Sequence, residues 1–374
     1  MRSIVDSTHS FEAWMRRRTD VSRRLLKRKH KKMCGGAFPF LRATFYRWAE
    51  QWPIVCRHLA ERDEDVLLAV GDLHVENFGV WIDSRKRQVW GINDFDDACE
   101  LPFTSDLVRL ATSVMLAADA AKITASVDRV CALILEGYRS GLRTEGEPIH
   151  ISGRFPALVM LAGGTREQPK TFWDKKLSPG DNPEIEASAL PRGLEEMFRA
   201  SFGRRTALMF REQRDPGGLG SLGRRRFTAV ATKKSKDGPD AREAKALVPS
   251  AQYWLTGQKR MRSQTATLLQ HVIREPDPHF QVHDEWLVRQ LAPDVAKIDL
   301  PTDARDRRLA LVPAMLRLMG RETANMHLGS RSPQELEASL KRLARDENWF
   351  STATERMAAC TRDDHAQWQS HEKA

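Results

Sequence analysis

Apolar residues recur at helical spacing over roughly the first sixty positions, shift to short alternating runs between 66 and 94, and return to helical spacing from about 105. Residues 10–32, SFEAWMRRRTDVSRRLLKRKHKK, read as one helix with a strongly basic face, and 37–66 as a helical stretch broken by Pro53. VLLAVGD is a short apolar strand ending in Gly-Asp. FGVWID and QVWGIND alternate around the polar SRKR, which is the signature of a β-hairpin. Helices are expected at 105–125 and 127–142, then loops and short elements over 143–192, where Pro and Gly are frequent.

A second strand-rich block opens near 206. The glycine-dense turn DPGGLGSLG (215–223) leads into RRRFTAVAT, which has strand composition, and KKSKDGPD is a polar, hairpin-like link. A helix is expected at about 251–273, a strand in HDEWLVRQLAP (283–293), helices at 305–328 and 332–350, and then a polar tail. No stretch repeats another. Helices, a hairpin, helices, a small β-rich block and helices again make an α+β chain.

Composition narrows the class of protein. With 374 residues, 41% of them hydrophobic, the chain is long enough for two domains or one large bilobal unit and should fold. The five cysteines are odd in number and scattered, with no CxxC, so neither a disulfide framework nor a zinc site is expected. A reducing, cytoplasmic setting fits that usage. The first thirty residues lack the apolar centre of a secretory signal. The longest apolar stretch, 107–127, carries Arg109, Asp119 and Lys122, so it reads as a buried helix and not a membrane span. The net charge of +10 attracts phosphate in any form, whether nucleotide, nucleic acid, lipid headgroup or metabolite, and selects none. The basic face of 10–32 is either solvated or a phosphate contact.

The chemistry concentrates on the hairpin. AVGDLHVENFGVW (69–81) sets Asn77 five residues after Asp72, and NDFDDA places Asp94 at the hairpin's far end. Phosphoryl transfer asks for a carboxylate near the accepting hydroxyl and for oxygen ligands to a magnesium ion bridging nucleotide phosphates. A hairpin returns its second strand to where the first began, so Asn77 and Asp94 are placed to ligate one Mg2+, with Asp72 as base or orienter. His74 is placed to donate to a phosphate oxygen. Asp106 reads as a helix cap or as an anchor for the Asp72 loop. Asp96 and Asp97 stay open between additional metal ligands, supporting groups and surface carboxylates. The competing reading is a polar hairpin whose Asp and Asn residues only make turns.

GDLHVENFG, INDFDDA and SDLVRLA resemble the GDLHxxN and IDF elements of aminoglycoside and choline kinases. They are more closely similar to a kinase-like family known as domain of unknown function 2252, where a GDxHxxNFG segment precedes NDFD and a DLxRLA helix. The likeness extends through FPFLRA upstream and REAKALVPSA and VRQL downstream, from about residue 30 to 330. It implies a protein-kinase-like bilobal fold that uses ATP and Mg2+.

The nucleotide-binding half of such a fold is missing ahead of Asp72, because the 70 or so residues there look helical. Its parts come late. GLGSLG supplies Gly218, Gly220 and Gly223 as the phosphate-covering loop; a dinucleotide fold uses the same string to open a helix, whereas here a strand follows. Set against the family's Lys-Glu-Ala-x-x-Ser pattern through Pro249 and Ser250, the phosphate-binding lysine falls at Lys245, with Arg242 as the competing register and an exposed edge-strand lysine as the plain alternative. Residues 244–274 hold no Asp or Glu, so the usual helix glutamate cannot pair with it; Gln258, Gln264 or a carboxylate from elsewhere would have to orient it. EWLVRQLAP would run past the adenine. LMGRETANMH resembles the helix that leads into the catalytic loop, yet it comes last. The resemblance therefore implies a circularly permuted order: 1–204 as the large helical lobe with the metal hairpin, 205–300 as the small β-rich nucleotide lobe, and 301–374 completing the large lobe.

The expected function is Mg-ATP-dependent phosphoryl transfer to a hydroxyl- or amine-bearing acceptor, a small molecule or a peptide. A nucleotide-binding pseudokinase, nucleotidyl transfer on the same fold, and a basic nucleic-acid binder supported by charge alone are the alternatives.

Overall fold

The computed structural model describes residues 2–164, 169–176, 182–202, 206–214, 218–232, 239–258, 262–283, 285–292, 303 and 305–373. Ser3 caps α1 (Ile4–Arg16) by accepting from the Asp6 amide, and Ser22 caps α2 (Arg23–Met33) by accepting from the Leu25 amide. The single basic helix expected over 10–32 is therefore two helices. Each must turn its own apolar residues inward, Trp14 and Met15 from α1, Leu25 and Leu26 from α2. The basic face is only partly solvated, since Lys29 is buried. Next come α3 (Ala37–Ala43), α4 (Phe45–Val55) and α5 (Arg57–Ala60). Pro53 lies inside α4, which ends two residues later; the breaks in this stretch fall at Thr44 and Cys56.

The strand and hairpin expectations hold. β1 (Val66–Ala69) precedes β2 (Phe78–Ile82) and β3 (Gln88–Ile92), which pair antiparallel with Phe78 opposite Ile92. β4 (Cys99–Pro102) returns to pair with β1. α6 (Phe103–Ala120) and α7 (Val127–Arg143) follow, and β5 (Ile149–His150) adds a third strand beside β3. The stretch expected to be loops and short elements contains α8 (Pro156–Gly164) and α9 (Pro169–Lys176).

The late β-rich block is a six-stranded antiparallel sheet, and it reaches further back than residue 205. β6 (Glu184–Ile185) forms one edge, and α10 (Leu194–Phe202) packs on a face with Leu194 and Phe198. β7 (Leu208–Glu212), β8 (Arg226–Ala231) and β9 (Ala241–Ala246) follow. The helix expected at 251–273 is two short ones, α11 (Ala251–Leu255) and α12 (Thr265–His271). The Ser250 and Ser263 hydroxyls capture the Gln252 and Thr265 amides, and so start each afresh. β10 (Gln281–His283) and β11 (Trp286–Leu291) complete the order β10-β11-β9-β8-β7-β6. Phe198, Phe210, Phe227, Ala244 and Val288 form this sheet's own small core. Of the polar link KKSKDGPD, residues 233–238 lie outside the described residues, as do 215–217 of the glycine-dense turn and Asp284 and Pro293 of the strand segment.

The chain then returns to the helical part. α13 (Val312–His327) lies along α7, with Arg317 paired to Glu136 at 2.8 Å, and α14 (Pro333–Leu343) is started by a Ser332–Glu335 capping box. The expected polar tail is instead a long helix, α15 (Trp349–Lys373). Trp349, Ala353, Met357, Thr361, Asp364 and Trp368 make one buried stripe along it. Asp364 accepts a two-pronged bond from Arg47 at 2.7 and 3.0 Å and another from Gln51 at 2.8 Å, so its burial is compensated. One large apolar core joins the N-terminal helices, the hairpin and α13 to α15. None of the five cysteines is in a disulfide. Among the described residues, no helix is long and apolar enough to cross a membrane.

Candidate functional site: carboxylates and cations beneath a glycine-rich turn

Asp106 shapes the loop that follows β1. It does not cap its own helix. Its carboxylate accepts from the Val70 amide at 2.7 Å and the Gly71 amide at 2.9 Å, while His327 of α13 lies 3.1 Å away and bonds Tyr138 on its other nitrogen at 2.9 Å. This is the anchoring role. The bend at Gly71 then delivers Asp72 to Arg109, one helical turn beyond Asp106 on α6. Arg109 Nε donates to Asp72 Oδ1 at 3.0 Å, Nη2 donates to the same oxygen and to the Leu41 carbonyl, and the guanidinium lies over Trp48 and Phe45.

The next residues lock one another. The Glu76 amide donates to His74 Nδ1 at 3.2 Å, which leaves Nε2 as the proton-bearing nitrogen of the neutral ring. The His74 amide donates to Asn77 Oδ1 at 2.5 Å, and Asn77 Nδ2 donates to the Asp94 carbonyl at 3.2 Å. Asn77 is thus tied to both ends of the hairpin, which the antiparallel pairing of β2 and β3 brings together.

Lys245 comes from the sheet. It sits mid-sheet on β9, opposite Arg226 of β8 and Leu287 of β11, and its side chain is buried. Its ammonium lies 3.1 Å from Asp94 and 2.5 Å from Asp96. No strand-edge lysine would be so placed. Arg242, the competing register, instead pairs with Asp240 and lies over the Phe202 ring. Gln258 is exposed and Gln264 precedes α12, and neither bonds Lys245; the carboxylates come from the hairpin side. Glu243, two residues earlier, is engaged with Arg226 at 3.0 Å and Arg289 at 2.8 Å.

The glycine-rich turn between β7 and β8 lies over these groups. Gly218, Leu219, Gly220, Ser221 and Arg224 share one cavity with Asp72, His74, Asn77, Asp94, Asp96 and Asp97. At Gly220 the turn passes close to Arg42 and Asp72. A Cβ there would lie 3.2 Å from the Arg42 carbonyl and 3.3 Å from Asp72 Oδ2, tighter than a side chain ordinarily tolerates. Gly223 closes the turn outside the cavity lining. The cavity is about 30 Å³, room for a water or two.

Charge is dense here. Burial pushes the Asp72 carboxyl up to about 7, with Asp97 and Asp94 adding to the rise and Arg109 opposing it. Burial also raises Asp97, against the pull of Arg224 and a hydrogen bond from the Ala251 amide at 3.2 Å. Arg224 lies 3.5 Å from Asp96, and Arg42 pairs with Glu76 at 2.6 Å. The oxygen donors of Asn77 and Asp94 on one wall suit a hard divalent cation. Among the described residues, no three His, Cys, Asp or Glu side chains gather as a metal cage, so such an ion would complete its shell with water or ligand oxygens.

Of the eight residues expected from the sequence, Asp72, His74, Asn77, Asp94, Gly218 and Gly220 line this cavity, Lys245 reaches it only through its pairing with Asp94, and Gly223 lies outside the lining. Sequence reasoning passed over Arg109, Arg42, Arg224 and Lys29. Arg109 carried a readable signal, standing three residues after Asp106 and so on the same helix face. The others come from segments whose approach no local pattern announces.

The fold and site define an α+β protein in which a carboxylate-bearing hairpin and a glycine-rich turn line one small polar cavity and a strand lysine pairs with the hairpin's carboxylates. Residues 21–155 match the sequence model of a bacterial family described as "Uncharacterized protein conserved in bacteria (DUF2252)". The family resemblance drawn from the hairpin motifs is thus shown over that segment, which holds Asp72, His74, Asn77 and Asp94; the glycine-rich turn and Lys245 lie beyond it. Neither the curated proteins nor the solved structures contain a match to the chain.

Proposed function

We propose that the chain is a Mg-ATP-dependent phosphotransferase built on a kinase-like bilobal fold of permuted order, with the hairpin in the helical lobe and the six-stranded sheet as the nucleotide lobe. The observation that carries this reading is the meeting of Lys245 with Asp94, 3.1 Å apart, where Asp94 shares a cavity with Gly218 and Gly220 of the turn. Lys245 would hold nucleotide phosphate, and the backbone amides of the turn would cover it. Asn77 and Asp94 would hold Mg2+, which when bound offsets the charge of the phosphate oxygens. Asp72 would orient the acceptor hydroxyl or amine and take its proton, with Arg109 fixing the carboxylate. His74 Nε2 would donate to a phosphate oxygen. The acceptor would approach beside Asp72, where Arg42 lines the wall.

Calorimetric titration with Mg-ATP tests this, comparing the wild type with Asp94→Ala. Metal-dependent binding that the substitution removes supports the reading. Equal affinity in the two proteins overturns it.

A second reading is a nucleotide-binding pseudokinase. It is favoured by the missing helix glutamate, because Lys245 is paired instead with Asp94 and Asp96, and Asp94 would otherwise serve the metal. Mg-ATP binding without ATP turnover in the presence of acceptors would select it. Label transferred from the α-phosphate of ATP, and not from the γ-phosphate, would select nucleotidyl transfer.

A further inference from the structure

We infer that Lys29, on the N-terminal helix α2, is a positioning residue for the glycine-rich turn: it holds the Gly220 carbonyl so that the Ser221 amide is presented to the cavity as an anion donor. The inference rests on the nucleotide reading above and extends it to an element outside both the hairpin and the sheet.

The geometry starts from the peptide plane. In a trans peptide the carbonyl and the following N–H point in opposite directions. Lys29 Nζ donates to the Gly220 carbonyl at 3.3 Å, so the N–H of Ser221 is aimed away from α2. Both Gly220 and Ser221 line the cavity. Among the described residues, no acceptor takes the Gly220 or Ser221 amide, although the neighbouring amides of Leu222 and Arg224 are bonded to the carbonyls of Leu219 and Ser221. Adjacent unpaired amides in a tight turn form a concavity suited to phosphate oxygens.

Lys29 itself is an unusual residue to bury. It is 3% exposed, and among the described residues no carboxylate forms an ion pair with it; its contacts are the Gly220 carbonyl and the face of Tyr46, 5.8 Å from the ring centre. Lys245, by contrast, has two carboxylates. Burial lowers the Lys29 ammonium to about 8, even with Glu12, Asp97 and Asp72 in its field. A buried, underpaired cation one residue layer from the cavity is what an incoming polyanion would stabilise.

The residues that lead into α2, and Leu26 within it, shape the same turn. The Ser22 amide donates to the Gly223 carbonyl at 2.9 Å, and Val21 bridges Arg224. Gly223 has φ +116°, and a Cβ on it would come within 2.7 Å of Leu26. The turn therefore takes its shape from α2 as well as from the strands that flank it.

The test separates phosphate recognition from simple bracing. Lys29→Met, Lys29→Arg and Ser221→Pro are titrated with Mg-ATP and with adenosine, alongside wild type and Asp94→Ala, with a thermal melt of each. Ser221→Pro removes the amide hydrogen directly and leaves Lys29 intact. Lys29→Met and Ser221→Pro should each lose roughly tenfold in Mg-ATP affinity and keep adenosine affinity, while Lys29→Arg stays within about threefold of wild type. Equal losses for both ligands, or Mg-ATP affinity unchanged in Lys29→Met and Ser221→Pro, overturn the inference alone, provided the wild type binds and Asp94→Ala does not. A wild type without Mg-ATP affinity overturns the nucleotide reading and this inference together.

Discussion

Lys245 Nζ stands 3.1 Å from Asp94 Oδ1, although 151 residues separate them in sequence. One side chain comes from the middle of a sheet, the other from the turn beyond a hairpin in the helical part. The pair joins these parts beside the cavity that Asp94 lines, and Asp96 at 2.5 Å shares the same ammonium. Replacing Lys245 by Met removes the ammonium shared by two carboxylates, at a cost that Arg224, 3.5 Å from Asp96, offsets in part. Because Asp94 is 37% exposed, water relieves part of that cost, and a stability loss of about 1–3 kcal/mol is expected, below the range for a wholly buried pair. Mg-ATP affinity should fall by at least roughly tenfold. Urea unfolding and calorimetry on Lys245→Met check both, and wild-type affinity would show that the lysine does not hold phosphate.

Asp106 organises the Asp72 loop from a fully buried position. Its carboxylate serves the Val70 and Gly71 amides and faces His327. Asp106→Ala strands two buried N–H groups and a histidine, and should cost about 3–5 kcal/mol in denaturant unfolding. Asp106→Asn keeps one acceptor oxygen and should lose less than half as much. Near-equal stability of all three proteins would mean that the loop is held by something else.

Most strands and the central helices were legible, because each declares itself over a few residues: alternation in FGVWID and QVWGIND, helical spacing in 105–125. What failed had two causes, one local and one tertiary. The 10–32 segment splits at Ser22 because the serine side chain competes for the Leu25 amide, and strong helix composition on both sides hides that competition. α15 was read as a polar tail because Asp364, Thr361 and Ser351 sit on its inner face, and their burial is made tolerable by partners hundreds of residues away, such as Arg47. The site followed the second. Asp72, Asn77 and Asp94 have a spacing that can be recognised. Lys29, Arg42 and Arg224 have no local signature, since only tertiary packing brings them to the turn.

Asp72 supplies a pH test of the proposed chemistry. Burial and the nearby carboxylates raise it to about 7, so the ionised, proton-accepting form grows in only as pH passes that value. The acid limb of kcat/KM for ATP turnover should therefore fall near pH 7, where an ordinary aspartate would place it near 4. Asp72→Asn should reduce turnover by roughly a hundredfold or more and remove the limb. A flat profile from pH 5 to 8 with full activity in the variant would exclude Asp72 as the base.

Glu322 on α13 makes a second pH prediction, this time for stability. It is buried, and it accepts from the Ile92 amide at 3.1 Å and from Asn325 at 2.8 Å, holding β3 two residues before Asp94. Burial raises its carboxyl from 4.5 to about 7, against these hydrogen bonds and the opposing charges of Arg274 and Arg321. The folded chain thus binds this proton more tightly than the unfolded chain does. The resulting stabilisation is complete below pH 4.5 and is lost as pH rises through 7, a swing on the order of 3 kcal/mol. Glu322→Gln resembles the protonated form at every pH and removes the swing. Thermal melts at pH 5.5 and 8.5 should show the wild type losing more stability than the variant on going alkaline, so that the variant is the more stable protein at pH 8.5. Parallel melting curves across that range would mean that Glu322 is ionised in the folded state throughout, stabilised by Arg274 and its hydrogen bonds more than burial opposes it.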